Sequence, residues 1–123
     1  MRNMPFKALT VAFIAGIAAA SPARAEDGVA ADKIIFGQAA PLEGPTAALG
    51  LGMKAGINAA FAEANKAGGV KGRKLELKSV DDGYEPTKSI EAVNKLLGDD
   101  KVFAIAGPVG TPTSVATQPL ADK

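Results

Sequence analysis

The sequence predicts an α/β domain, an open parallel sheet with helices on both faces. Three observations predict it. Short apolar runs of strand length alternate with longer stretches whose apolar residues recur at helical spacing. Glycine- and proline-rich turns separate the two kinds of segment. The order after residue 32 is β-α-β-α-β-α, and no repeat or low-complexity run interrupts it.

Residues 33–39 (Lys-Ile-Ile-Phe-Gly-Gln-Ala) read as a mostly buried strand of the kind found centrally in parallel sheets. Pro41, Gly44 and Pro45 then make a loop. Residues 46–66 read as a helix, with Met53, Ile57, Ala60, Phe61 and Ala64 on one face and Gly68-Gly69 as its stop. In the second strand, residues 74–80, Leu75, Leu77 and Ser79 alternate with Glu76, Lys78 and Val80, which places it toward the outside of the sheet. Asp81-Asp82-Gly83 turns the chain. Pro86 suits the first residue of a second helix, because its fixed φ and missing N–H carry no penalty there. That helix has Ile90, Val93, Leu96 and Leu97 as its stripe and Gly98 as its end. Residues 102–106 form a third strand, apolar throughout. Thr111 reads as the N-cap of a third helix and Pro112 as its first residue, with Pro119 expected to kink or shorten it.

The first 25 residues are of another kind. Arg2 and Lys7 precede an uncharged run over residues 8–20, Ser21-Pro22 breaks it, and Ala23-Arg24-Ala25 supplies a small-x-small cleavage pattern. This is the layout of a secretory signal peptide cut after Ala25. The run is shorter than the roughly 20 residues that a membrane-spanning helix needs.

Composition narrows the chemistry. Three of the 14 basic residues (Arg2, Lys7, Arg24) and no acid lie in the leader, so 11 basic and 13 acidic residues remain after it. A net charge of −2 gives no footprint for nucleic acid or an anionic membrane surface. The sequence has no Cys and no His. That excludes a thiol nucleophile, a disulfide, a zinc–thiolate site and a Ser-His-Asp triad from this segment. It also excludes a lipidated cysteine, so a free periplasmic protein is expected. No metal or cofactor is expected either. Gly50-Leu51-Gly52 with Gly56 lacks the spacing of a dinucleotide loop, and no G-x-x-x-x-G-K-[ST] phosphate loop exists. The Asp81-Asp82 pair invites a catalytic or metal role. Neighbouring strand residues point to opposite faces, so a turn that favours the coming helix is the better reading. Tyr84, the single Tyr, reads as a turn residue.

In open α/β sheets a ligand sits at the carboxyl ends of the strands, where strand order reverses. With the first strand flanked by the second and third, the loops at that point are residues 40–49 and 107–114. The second runs into a helix N-terminus, whose free N–H groups and positive dipole end suit a carboxylate. The Thr111 hydroxyl either joins that site or caps its own helix, and the sequence leaves both readings open.

These segments together resemble a known family. Ala40-Pro41-Leu42-Glu43-Gly44-Pro45-Thr46 with Leu49-Gly50 resembles its loop after strand one. Residues 66–75 (Lys-Ala-Gly-Gly-Val-Lys-Gly-Arg-Lys-Leu) resemble its helix-to-strand corner. Asp81-Asp82 with Pro86, and the 107–114 loop, complete the pattern. The family is the leucine/isoleucine/valine-type periplasmic substrate-binding proteins of ABC transporters. The resemblance implies a periplasmic-binding-protein type I lobe, of which residues 26–123 are the N-terminal part with the first three β-α units. It implies a protein that is not an enzyme, closes two lobes on a small ligand and hands it to a membrane permease. Val109, Gly110 and Thr111 match the positions that bind an amino acid's α-carboxylate. Leu49 stands where the family often has an aromatic residue over the ligand, which leaves an aliphatic amino acid, an aromatic acid or an amide as the expected ligand. Two alternatives remain: a periplasmic ligand-sensing domain, and a Rossmann-type NAD-dependent oxidoreductase, against which the loop spacing and the export signal count.

Overall fold

A computed structural model of the protein describes residues 26–122. The candidate leader with its cleavage motif (1–25) and Lys123 lie outside the described residues. The elements are β1 (Lys33–Ala40), α1 (Ala47–Lys66), β2 (Lys74–Asp81), α2 (Pro86–Asn94), a π-helical turn (Lys95–Asp99), β3 (Ala104–Ile105) and α3 (Thr111–Ala121). The sheet order is β2-β1-β3, and both pairings are parallel. β1 pairs with β2 along its whole length, from Lys33 opposite Lys74 to Ala40 opposite Asp81. With β3 it shares only the Phe36–Ala104 and Gly37–Ile105 positions. The reversal of strand order therefore falls between β1 and β3, as the sequence predicts.

Alternate residues of β1 feed the two faces of the sheet. Phe36 meets Phe61 of α1 at a ring-centroid distance of 5.4 Å and Phe103 edge-on at 5.6 Å. On the opposite face Ala39 joins Ala92, Val93, Leu96 and Val102 in the buried core, with Ile35, Val80, Leu97, Ile105 and Leu120 packed around it. Full burial of Leu96 contributes about 1.5–3 kcal/mol.

α1 ends as its glycines dictate. The Gly69 amide bonds the Ala64 carbonyl and the Gly68 amide bonds that of Asn65, the paired bonds of a Schellman motif. Gly68 and Gly69 both take positive φ there. The side-chain amide of Asn65 then exchanges two hydrogen bonds with the backbone of Leu75, at 2.8 and 3.0 Å, on the outer edge of β2.

Several elements differ from the sequence expectation. α2 stops at Asn94, and Gly98 lies inside the π turn that follows rather than at a helix end. The wider turn closes through the Asp100 amide on the Lys95 carbonyl. It is tied to β2 by Asp100, whose carboxylate meets Lys78 and Lys95 at 2.6 Å each; those two ammonium groups hold it below the usual carboxylate range. Ile90 of the expected stripe stays exposed, and Ala92 is buried in its place. The third strand shrinks to two ladder residues, flanked by the Phe103 and Ala106 amides, which bond the β1 carbonyls of Ile35 and Gly37. Pro119 does not shorten α3, which runs on to Ala121. Thr111 is the first helical residue rather than the N-cap: Gly110 holds the cap position, with no side-chain cap bond.

Candidate functional site

β1 and β3 deliver two loops to the carboxyl edge of the sheet, one on each side of the reversal point. The loop after β1 is fixed by β2. Asp81 Oδ1 accepts the Leu42 amide at 2.6 Å and the Glu43 amide at 3.1 Å. The Leu42 bond is the main reason that the Asp81 carboxyl sits below its ordinary range; burial opposes it, and the Glu43 and Gly83 amides and the charge of Lys88 add smaller lowering effects. Asp82 does something else. It is fully buried, with Oδ1 accepting the Tyr84 amide at 2.9 Å and Oδ2 accepting the Ser89 hydroxyl at 2.7 Å. The two acids thus hold a loop and a turn. Among the described residues no cluster of three or more His, Cys, Asp or Glu could hold a metal ion.

The loop after β3 is fixed from beneath. Gln38, at 0 % exposure on β1, donates from Nε2 to the Gly107 carbonyl at 3.1 Å and accepts the Ser79 hydroxyl at 2.9 Å. One side chain thus spans from β2 through β1 to the loop. α1 closes the same loop from its flank. Gly107 has φ +61°, and a Cβ there would lie 2.6 Å from Ile57 Cδ1 and 2.9 Å from Met53 Cγ.

Farther along the loop, Gly110 has φ +107° and ψ 133°, a conformation that suits glycine. The Thr113 hydroxyl faces the Val109 carbonyl at 2.7 Å and the Gly110 carbonyl at 2.9 Å. The Ser114 amide also bonds the Gly110 carbonyl, at 2.9 Å. The carbonyls are thereby drawn back into α3. Among the described residues, the amides of Val109, Gly110 and Thr111 meet no acceptor. They stand at the N-terminal end of α3, where the helix dipole adds positive character. Thr111 is exposed, and its hydroxyl makes no cap bond. Such an arrangement of donors fits an anionic group, and a carboxylate above all.

The structure brings Val109, Gly110 and Thr111 together as consecutive residues of this loop. Leu49 stands in the first turn of α1. It is 56 % exposed and stands one helical turn before Met53, on the row that continues to Ile57. Met53 is itself 43 % exposed beside Gly107, so the predicted apolar stripe of α1 serves the loop at one end and Phe36 at the other.

Three residues that matter here were not legible as site residues. Gln38 lies inside an apolar run, where a polar residue that must find a partner was the signal. Asp81 was visible only as half of a turn pair. Tyr84 reads as a turn residue and is one, at φ +64°, but its ring also packs against Gly110.

A cavity of about 970 Å³ lies elsewhere. It opens on the free flank of β3 and is lined by Glu26, Leu97, Val102, Phe103 and Leu120 among others. The amides of Val109, Gly110 and Thr111 stand together at the reversal point instead, and the loops there form the candidate site.

Comparison with known proteins agrees with this fold. The sequence profile of the family described as periplasmic binding protein matches residues 33–123. The Leu/Ile/Val-binding protein BraC3 of Rhizobium johnstonii is 40 % identical over 119 residues, which covers 97 % of this chain and 29 % of that protein. A crystal structure described as a possible leucine/isoleucine/valine-binding protein from Rhodopirellula baltica superposes with a TM-score of 0.70 at 37 % identity, over 81 % of this chain and 26 % of that one. A solute-binding protein of an ABC transporter from Rhodopseudomonas palustris, in complex with 3,4-dihydroxybenzoic acid, superposes with a TM-score of 0.63 at 32 % identity, over 73 % of this chain and 24 % of that one. The chain thus spans less than a third of the length of these relatives.

Proposed function

Because the chain belongs to the periplasmic binding protein family, we propose that the full-length protein is the extracytoplasmic solute-binding component of an ABC importer. It binds an amino acid or a related small carboxylate in a cleft between two lobes and delivers it to a membrane permease, with no chemistry on the ligand. Residues 26–123 are the N-terminal part of the first lobe. The leader is removed after Ala25, and with no cysteine for a lipid the mature protein is free in the periplasm.

The observation that carries this reading is the loop between β3 and α3, whose carbonyls turn inward and whose amides at Val109, Gly110 and Thr111 point to no partner among the described residues. The ligands named for two relatives, branched-chain amino acids and a dihydroxybenzoic acid, differ in their side groups and share a carboxylate. The carboxylate is therefore assigned to this loop, with the Thr111 hydroxyl as a further donor. Leu49, exposed in the first turn of α1, packs over the apolar part of the ligand. Each charge-assisted bond contributes about 1.5–3 kcal/mol.

A thermal-shift screen of the full-length protein against amino acids, amides and small aromatic acids tests the reading. A ligand at about 100 times its dissociation constant stabilises the native state by about 2.7 kcal/mol. Stabilisation by carboxylates and not by the matching amides is expected. A hit confined to amides or to uncharged ligands would refute the assignment of the loop. The mass of the exported protein, expected to begin at Glu26, tests the leader.

A further inference from the structure

We infer that Tyr84 is a positioning residue for the loop between β3 and α3: its ring forms the wall that fixes Gly110 and hence the direction in which the neighbouring amides point. This rests on the reading of that loop as the ligand carboxylate's site.

Tyr84 has φ +64°, in the left-handed region that large side chains seldom enter. What holds it there is Asp82, whose Oδ1 accepts the Tyr84 amide at 2.9 Å. Asp82 is fully buried and is itself held by the Ser89 hydroxyl at 2.7 Å, and Ser89 is buried in α2. The turn between β2 and α2 is therefore anchored to the core before the tyrosine side chain begins. A tyrosine has only two side-chain torsions, so a fixed backbone goes far toward fixing the ring.

That ring lies against the other loop. A Cβ built on Gly110 would fall 2.6 Å from Tyr84 Cε2 and 3.0 Å from Cζ. The ring occupies the space that any side chain at position 110 would need. Glycine is thus required at 110 for two separate reasons, its φ of +107° and the tyrosine beside it. Gly107, at the start of the same loop, is closed off by Ile57 and Met53 and bonded by Gln38. With Thr113 drawing in the carbonyls of Val109 and Gly110, Tyr84 supplies the remaining side of the cradle. The phenol oxygen makes no hydrogen bond among the described residues, so the ring and not the hydroxyl does the positioning.

The test uses the full-length protein and the variants Tyr84→Phe and Tyr84→Ala. Hydrogen exchange is followed without ligand in the peptides covering residues 104–114 and 33–40, and L-leucine binding is measured by calorimetry. In Tyr84→Ala the 104–114 peptide should exchange about tenfold faster while 33–40 is unchanged, and the L-leucine dissociation constant should rise by about tenfold. Tyr84→Phe should match the wild type in both. If exchange in 33–40 accelerates too, the alanine variant has lost its fold, and Tyr84→Leu replaces it with a smaller expected change of about threefold in the loop alone. Loop exchange in the truncated variants within about twofold of wild type would overturn the inference, as would a Tyr84→Phe variant as impaired as Tyr84→Ala. Faster loop exchange in Tyr84→Ala, in a protein whose wild type ignores L-leucine, would support the role of Tyr84 and refute L-leucine as the ligand.

Discussion

Replacing Gln38 with leucine keeps the size of the side chain and removes both of its hydrogen bonds. In the native protein its Nε2 holds the Gly107 carbonyl at 3.1 Å and its Oε1 receives the Ser79 hydroxyl at 2.9 Å, with the glutamine itself at 0 % exposure. The variant strands one carbonyl and one hydroxyl. A buried polar group left without a partner costs about 1–3 kcal/mol. Gly107 and Ser79 are each only partly buried, so water offsets some of the loss and the low end of that range applies. Gln38→Leu should therefore destabilise the protein by about 2–3 kcal/mol. In a domain of 150–250 residues that lowers the melting temperature by roughly 4–12 °C. The assay is thermal unfolding of the full-length protein, wild type beside Gln38→Leu and Gln38→Leu/Ser79→Ala. The double variant no longer strands the hydroxyl and should recover about 1 kcal/mol. A Gln38→Leu variant that melts with the wild type, or a double variant no better than the single one, would refute the claim that this side chain latches the loop to the sheet.

Three further outcomes are expected. Thr111→Ala should weaken binding of a carboxylate ligand by about 1.5–3 kcal/mol in calorimetry of the full-length protein, whereas an unchanged affinity would leave Thr111 without a ligand role. Asp81 has its carboxyl lowered in the fold, chiefly by the Leu42 amide, so its contribution is present above the unfolded value near pH 4 and is lost as pH falls through the lower folded value. Melting curves taken below about pH 4 should therefore fall less steeply for Asp81→Asn than for the wild type, and parallel curves would contradict that. The isolated 26–123 segment should associate or melt without cooperativity, because Phe103 is 41 % exposed and the 970 Å³ cavity beside it is lined by Leu97, Val102 and Leu120; a monomeric elution profile with a cooperative melt would refute it.

The α/β class, the element order and the position of the strand reversal were all legible in the sequence, because hydrophobic period and glycine placement are local signals. Gly68-Gly69 is the clearest case, since each glycine takes one defined place in the helix-ending bonds. Helix boundaries were less legible. Gly98 looks like a stop, yet the chain carries it through a π turn, because Asp100 is drawn to Lys95 and Lys78 on different elements. Thr111 and Thr113 show the same limit within three residues. Either hydroxyl could have turned toward the helix start, and only the loop's fold makes Thr113 the one that bonds back. The loop that carries the candidate site could be placed, but its braces could not. Gln38, Asp81 and Tyr84 act across 69, 39 and 26 residues of sequence respectively, and no local pattern encodes a partner that far away.

The anchoring of both loops has a kinetic consequence. The loop after β1 is tied by Asp81, and the loop after β3 by Gln38, before any ligand arrives. On the proposed function, docking on this lobe would involve little ordering of chain, because the entropy that flexible recognition loops give up is already spent in folding. Encounter rates for different carboxylates should accordingly lie close together, with discrimination expressed as residence time. On the proposed function, a lobe of this kind would select by how long it holds a molecule and not by how often it catches one.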